Sequence, residues 1–353
     1  MDWVRGEAVG HGSFGKVNHA IPTKQSTTQF LPSMVVKSCS VYHSDTLMNE
    51  KKILDELNGC PEIVRCFGDS YSYENGEKLY NVLLEYASGG SLAEKIKNSK
   101  GLPEFEVRKY TMDLLKGLLY IHEIGYVHCD IKLQNILLSE DGKVKIADFG
   151  LAKRAGTKKD DDLRCELRGT PLYMSPEMVT GGEQGTPADI WALGCVVAEM
   201  IAGVPAYRFS DVTELLMAIG VKNKLPDIPV ELSEEGKDFL GKCFVKDPRK
   251  RWTAEMLLKH PFVADHDDTV TFNEENDKSG VTSISPRCPF DFPDWVSDVT
   301  CSITYLPSPE NQEKHNLSSG SWSDSPAERI RGLVSEFRPE SEWSSDDDWI
   351  TVR

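Results

Sequence analysis

HCDIKLQNIL, His128 to Leu137, followed ten residues on by ADFG, Ala147 to Gly150, carries most of the information in this 353-residue chain. Each polar residue in the two runs has a chemical use. Asp130 is a carboxylate able to orient a hydroxyl and accept its proton. Asn135, five residues later, offers an amide oxygen to Mg²⁺ without adding charge, and Asp148 offers a hard anionic oxygen to the same class of metal. Lys132, two residues past Asp130, is close enough to steady a phosphoryl group as charge shifts. A base, two metal ligands and a cation are what in-line phosphoryl transfer from Mg²⁺-ATP requires.

Upstream, VGHGSFGKV (Val9, Gly10, His11, Gly12, Ser13, Phe14, Gly15, Lys16, Val17) omits three side chains, so that backbone N–H groups can approach phosphates closely. A dinucleotide-binding fold uses the same glycine spacing, but needs a helix directly afterwards and an acidic residue about twenty positions on. Here strand-like VNHAI follows, and no Asp or Glu occurs between Gly15 and Asp45. Lys37 ends the short apolar run MVVKS. Glu50 heads a periodic stretch in which Ile53, Leu54 and Leu57 follow at i+3, i+4 and i+7, predicting a helix with one buried face. Taken singly, either charge is an ordinary solvated residue; their order relative to the other motifs gives them weight.

From about Trp3 to Phe262 the chain resembles a eukaryotic protein kinase, with LRGTPLYMSPEM (Leu167 to Met178), DIWALGC (Asp189 to Cys195) and DPRKRWTAEMLLKHPF (Asp247 to Phe262) completing the landmarks in order. The resemblance implies an α+β, bilobal fold with a small β-rich N-lobe and a larger helical C-lobe, spanning residues 3–263. It implies that Lys37 contacts the ATP phosphates and pairs with Glu50. Val17, Val35 and Leu137 would enclose the adenine, Leu84 would close the back of the pocket, and hinge backbone from Glu85 to Ala87 would read the adenine edge; core packing accounts equally for the apolar positions. Glu177 is expected to pair with Arg251, Asp189 to tie down the catalytic-loop backbone, and Thr170 to bond Asp130 and Lys132, all as scaffold.

Lys132 and the Gly169-Thr170-Pro171 triplet resemble serine/threonine kinases. Gln134 stands where many basophilic kinases carry a glutamate, so a strong preference for a substrate arginine is not expected. GYVHCDIKLQNILL with LRGTPLYMSPEMV, and a domain starting at Trp3, is similar to the small plant MAP kinase kinase kinases of the MEKK-like group, whose substrates are MAP kinase kinases in stress or hormone signalling. A kinase-like scaffold acting through its tail is the rival reading. The intact set Lys37, Glu50, Asp130, Lys132, Asn135 and Asp148 argues against it.

Composition points to two parts. The chain carries a net charge of −16, and of this −12 lies in residues 264–353, where 19 acidic residues face 7 basic ones. That segment is rich in Ser, Pro and Asp without helical period, predicting a largely disordered regulatory tail. Its sign also excludes nucleic acid as a partner. Trp295, Trp322, Trp343 and Trp349 are apolar anchors in this acidic setting. Ser285, Ser308 and Ser325 precede proline and resemble sites for feedback by a MAP kinase; a plain solvated extension is the alternative. RIRGLVSEF, Arg329 to Phe337, is consistent with a docking helix or an incidental run. The apolar stretch Ile190 to Ala206 contains Glu199 and is shorter than the roughly 20 residues a bilayer needs, so a buried helix and no membrane association are expected. The N-terminus has no apolar signal region and Asp2 replaces the glycine that myristoylation uses. Nine cysteines without a CxxC pair suggest reduced thiols, and the cytoplasm or nucleus as location.

Cys129 stands where regulated kinases have an arginine that pairs with an activation-loop phosphate. Thr157 is the only hydroxyl residue between Gly150 and Gly169, beside the acidic run Asp160 to Asp162. Catalysis is therefore expected not to depend on phosphorylating this loop. Thr157→Ala should retain wild-type phosphoryl transfer, measured with the folded full-length chain; loss of activity would refute this.

Overall fold

The computed structural model describes residues 3–12, 15–23, 33–97, 99–156, 168–181, 184–209 and 211–264. Ser13, Phe14, Thr157, Asp160 to Asp162 and the sequence features of the tail lie outside them. The first half of the described chain is a five-stranded antiparallel sheet in the order β1-β2-β3-β5-β4, with β1 Trp3–Gly12, β2 Gly15–Pro22, β3 Met34–Ser40, β4 Cys66–Glu74 and β5 Glu77–Glu85. Strands β3 and β5 are central, and their runs MVVK and YNVLL are buried, as expected where both sheet faces are covered. Their register sets Lys37 opposite Val82 and Val35 opposite Leu84. Helix α1, Asp45–Glu56, lies between β3 and β4 and buries Leu47, Glu50, Ile53 and Leu54, which delivers one carboxylate to the sheet along with three apolar side chains.

One side chain in edge strand β1 reaches all four other strands. Arg5 donates to Asn18 on β2 (3.4 Å), Ser38 on β3 (2.9 Å), Glu74 on β4 (2.8 and 3.0 Å) and Asn81 on β5 (3.0 Å). Asn81 is fully buried, accepts from Ser38 and donates to Ser72, so the guanidinium adds a charged donor to a polar network that already joins these groups.

The second half is mainly helical: α2 Leu92–Lys97, α3 Glu104–Glu123, α4 Pro176–Thr180, α5 Thr186–Ala202, α6 Val212–Gly220, α7 Glu234–Cys243, α8 Ala254–Leu258 and α9 Pro261–Ala264. Short strands lie between α3 and α4: β6 Tyr126–Val127 pairs with β9 Lys153–Arg154, and β7 Ile136–Leu138 with β8 Val144–Ile146. Side-chain oxygens of Asp211, Ser233 and Thr253 cap the N-termini of α6, α7 and α8, where the sequence places a short polar residue just before each helix. Helix α5 is buried without interruption from Ala188 to Met200, the pattern of a helix enclosed on every side. Among the described residues no helix is long and apolar enough to cross a membrane.

One apolar core runs through both halves, from Val35, Leu54 and Val82 through Phe149 to Trp191 and Phe239. The cleft between sheet and helices thus opens above a continuous packed floor. A smaller cluster of Ala20, Met34, Val36 and Leu83 covers the other face of the sheet, with Trp3 and Phe67 against it.

Arg251, just before α8, has no exposed side-chain surface and grips Glu177 of α4 in a two-pronged ion pair of 2.7 and 2.9 Å. It also donates to the carbonyls of Val245 (2.9 Å) and Pro187 (2.6 Å). Removing one partner strands the other charge, so Arg251→Met should lower unfolding free energy by about 3–5 kcal/mol in a denaturant titration, with Glu177→Gln added to it restoring part of the loss.

Candidate active site

The catalytic loop is shaped by a carboxylate from the core helix. Asp189, 1% exposed on α5, accepts from the backbone N–H of His128 (2.9 Å) and of Cys129 (3.0 Å), and lies 2.9 Å from His122 Nε2 on α3. These bonds hold Cys129 at φ +70°, a left-handed conformation that costs a non-glycine residue about 1–3 kcal/mol. The Asp130 N–H donates to His128 Nδ1 (3.2 Å), so the proton is assigned to Nε2, which meets the Ala147 carbonyl at 3.2 Å. The His128 ring packs edge-on against Phe149, with centroids 4.7 Å apart. Burial pushes the Cys129 thiol well above its ordinary value, and its sulfur bonds back to the Val127 carbonyl. This is a structural thiol.

Asp130 emerges from this turn with three donors on its carboxylate. Thr170 Oγ1 donates to Oδ1 at 2.8 Å, while Asn135 Nδ2 (3.0 Å) and Lys132 Nζ (2.8 Å) meet Oδ2. Lys132 also donates to Thr170 Oγ1 at 3.1 Å. Asn135 spends its amide group on Asp130, since Nδ2 donates both to the Asp130 carbonyl (2.9 Å) and to its carboxylate. Its Oδ1 is left without a hydrogen-bond partner among the described residues, and it is not sealed from solvent. A neutral, accessible oxygen is what a hard divalent cation takes up. The Ala147 N–H donates to the Asn135 carbonyl at 2.9 Å, which joins this loop to the strand leading to Asp148.

Asp148 also has a left-handed backbone, φ +63°. Lys37 stands between two carboxylates, 2.8 Å from Asp148 Oδ1 and 2.7 Å from Glu50 Oε2. Burial alone would lower the Lys37 pKa, but Asp148 and then Glu50 more than reverse this and hold the ammonium above its ordinary value. Burial tends to raise Asp148, yet the Lys37 charge keeps it below the usual carboxylate range. Glu50 is raised, because burial outweighs its share of the same lysine. One cation thus keeps Asp148 ionised, and its hydrogen bond falls on Oδ1.

Along the cleft the structure sets Val35 and Leu84 as buried and Val9, Val17 and Leu137 as half-buried, on strands β1, β2, β3, β5 and β7. The Glu85 carboxylate turns away from them, accepting from Lys145 and from the Arg65 N–H. Ala87 is 7% exposed, and its N–H has no partner among the described residues. A donor without an intramolecular partner at this place suits an adenine edge. Strands β1 and β2 pair as far as Gly12 opposite Gly15, with His11 opposite Lys16. A Cβ on Gly15 would stand 2.5 Å from the Ser38 carbonyl, so only glycine lets the hairpin lie this close to β3. The donor set and the orphan donor fit ATP with a divalent metal.

Sequence reasoning passed over two residues near the loop. Glu199, 5% exposed on α5, accepts from Tyr173 Oη at 2.7 Å beside the Thr170 segment. Its signal was a carboxylate inside an apolar helix. Gln184, in the connection between α4 and α5, is buried and donates to the carbonyls of Cys129 (3.4 Å) and Arg168 (3.3 Å). Nothing in its sequence context distinguishes it.

Residues 3–263 match the profile of the protein kinase domain. Over 370 aligned positions spanning all of both chains, the sequence is 49% identical to mitogen-activated protein kinase kinase kinase 20 of Arabidopsis thaliana. It is 37% identical over 366 positions to mitogen-activated protein kinase kinase kinase 18 of the same plant, covering 100% of this chain and 99% of that one. With mitogen-activated protein kinase kinase kinase 17 it shares 40% over 274 positions, 76% of this chain and 71% of the other. The chain belongs to the protein kinase family, as an ATP-dependent serine/threonine kinase of the plant MAP kinase kinase kinase type.

Burial pushes the Glu199 carboxyl up to about 7, against the pull of the Tyr173 hydroxyl. The folded state therefore holds this proton more tightly than the unfolded chain, and Glu199 contributes stability that declines as pH rises from about 4.5 to about 7. Glu199→Gln keeps an acceptor for Tyr173 and removes the titration. Its melting temperature relative to wild type should be higher at pH 8 than at pH 5; an equal difference at both pH values would contradict the assignment.

Proposed function

We propose that this chain transfers the γ-phosphoryl group of Mg²⁺-ATP to serine or threonine hydroxyls of MAP kinase kinases. The observation that supports it most is the pairing of Lys37 with both Glu50 and Asp148 across the cleft from an Asp130 fixed by Thr170, Lys132 and Asn135. The names of the full-length relatives supply the substrate class.

Residues of the glycine hairpin, Lys37, and the backbone at Glu85 and Ala87 would hold ATP, and Asp148 with Asn135 would hold Mg²⁺. When bound, these supply the transferable phosphoryl group and the positive charge that offsets it. The protein's own work is orientation and proton handling. Asp130 receives the hydroxyl proton of the substrate, and Thr170 on Oδ1 fixes which carboxylate edge faces it. Lys132, already against Asp130 and Thr170, neutralises charge developing on the transferred group. Lys37, held by Glu50, keeps its ammonium in place before nucleotide arrives, so little reorganisation remains for the chemical step. Residues 3–263 carry this activity, and residues 264–353 regulate it.

The test is phosphorylation of catalytically inactive MAP kinase kinases by the purified full-length chain. Transfer to activation-loop Ser or Thr is expected. Lys37→Met, Asp130→Asn and Asp148→Asn should each lower kcat/KM by at least about 10²-fold while remaining folded. ATP binding without transfer to any of these substrates would instead favour the scaffold reading.

A further inference from the structure

The catalytic loop meets the end of the activation segment along a narrow seam. Cys129 brings no arginine to it; its sulfur is turned back on the Val127 carbonyl, and its own carbonyl faces Gly169. Gly169 has φ +109°, and a Cβ there would stand 2.5 Å from that carbonyl oxygen, so the two backbones meet as closely as glycine allows. Only a cavity of about 10 Å³ remains between them, lined by Cys129, Asp130, Gly169, Thr170 and Gln184 among others, which is no more space than one water needs. Across this seam, beside the bonds of Thr170 and Lys132, Gln184 donates to the Cys129 and Arg168 carbonyls through its single amide nitrogen, Nε2.

We propose that Gln184 is a positioning residue that clamps the activation segment to the catalytic loop, doing with an uncharged carboxamide what an arginine and a loop phosphate do in regulated kinases. The two carbonyls it binds lie one residue before Asp130 and two before Thr170. Pulling them toward one amide fixes the separation at which Thr170 reaches Asp130 at 2.8 Å. Both acceptors are backbone carbonyls and not a removable phosphate, so the clamp needs no covalent modification to form. Tyr173, three residues past Thr170, is anchored separately by Glu199, and Thr170 by Asp130 and Lys132, so what Gln184 adds is a tie on the backbone at Arg168. The catalytic part of this inference rests on the phosphoryl-transfer reading above.

The test uses the full-length chain with Gln184→Met, which keeps side-chain length and removes the donors, and Gln184→Glu, which keeps the shape and turns a carboxylate on two carbonyls. Both should leave ATP affinity unchanged and lower kcat about tenfold. Amide hydrogen exchange should accelerate in residues 168–174 and stay as in wild type in α5. Because the clamp acts through Thr170, adding Gln184→Met to Thr170→Ala should cost less than about twofold more. Wild-type kcat and exchange in both variants would overturn the proposal, as would fully multiplicative losses in the double variant or faster exchange spreading through α5. If wild-type protein transferred no phosphate, the function reading would fall, and exchange at 168–174 alone would decide the role of Gln184.

Discussion

The arrangement of the site depends on a single buried carboxylate. Asp189 accepts two consecutive backbone N–H groups of the catalytic loop and faces His122, and it can do so only because α5 is packed on all sides and cannot shift. Two consecutive N–H groups aimed at one point require a sharp turn, and the left-handed Cys129 is that turn. Everything downstream inherits its direction: His128 faces the Ala147 carbonyl, Asp130 points at Thr170, and Asn135 closes the loop on Asp130. The polar site is thus fixed by apolar packing one layer below it.

Charge is distributed with similar economy. Besides Asp189, the acidic groups Glu50, Asp148, Asp130 and Glu199 stand in or under the cleft, and two lysines serve three of these four. The fourth, Glu199, has only a tyrosine hydroxyl and accordingly holds its proton to about neutral pH. Lys37 between two carboxylates keeps Asp148 ionised while placing its hydrogen bond on one of the two oxygens. Asn135 reaches a comparable result without charge, by turning both of its N–H bonds inward.

Much of this geometry was legible in the sequence, for reasons that can be named. The i+3, i+4, i+7 spacing after Glu50 set that carboxylate on the buried face of α1, and the short apolar run ending at Lys37 is the buried part of β3. The order of motifs brought Asp130, Asn135 and Asp148 near one another, because a short loop and a two-strand hairpin leave the chain little freedom between them. What stayed hidden depends on contacts between distant segments. Gln184 has no periodic pattern or motif around it, and its importance comes from two carbonyls, 16 and 55 residues away along the chain. Glu199 was visible only as an anomaly in an apolar helix; its partner Tyr173 lies 26 residues before it, and no spacing rule connects them.

The guanidinium of Arg5 has a consequence for how the small lobe comes into being. Its partners are spread along the chain, the last of them, Asn81, 76 residues after it. During synthesis at roughly 5–20 residues per second, Arg5 can therefore meet Asn18 early but must wait several seconds for Glu74 and Asn81. Strands β1, β2 and β3 can pair in chain order, but the polar network that ties them to the far side of the sheet is complete only when β5 has been made.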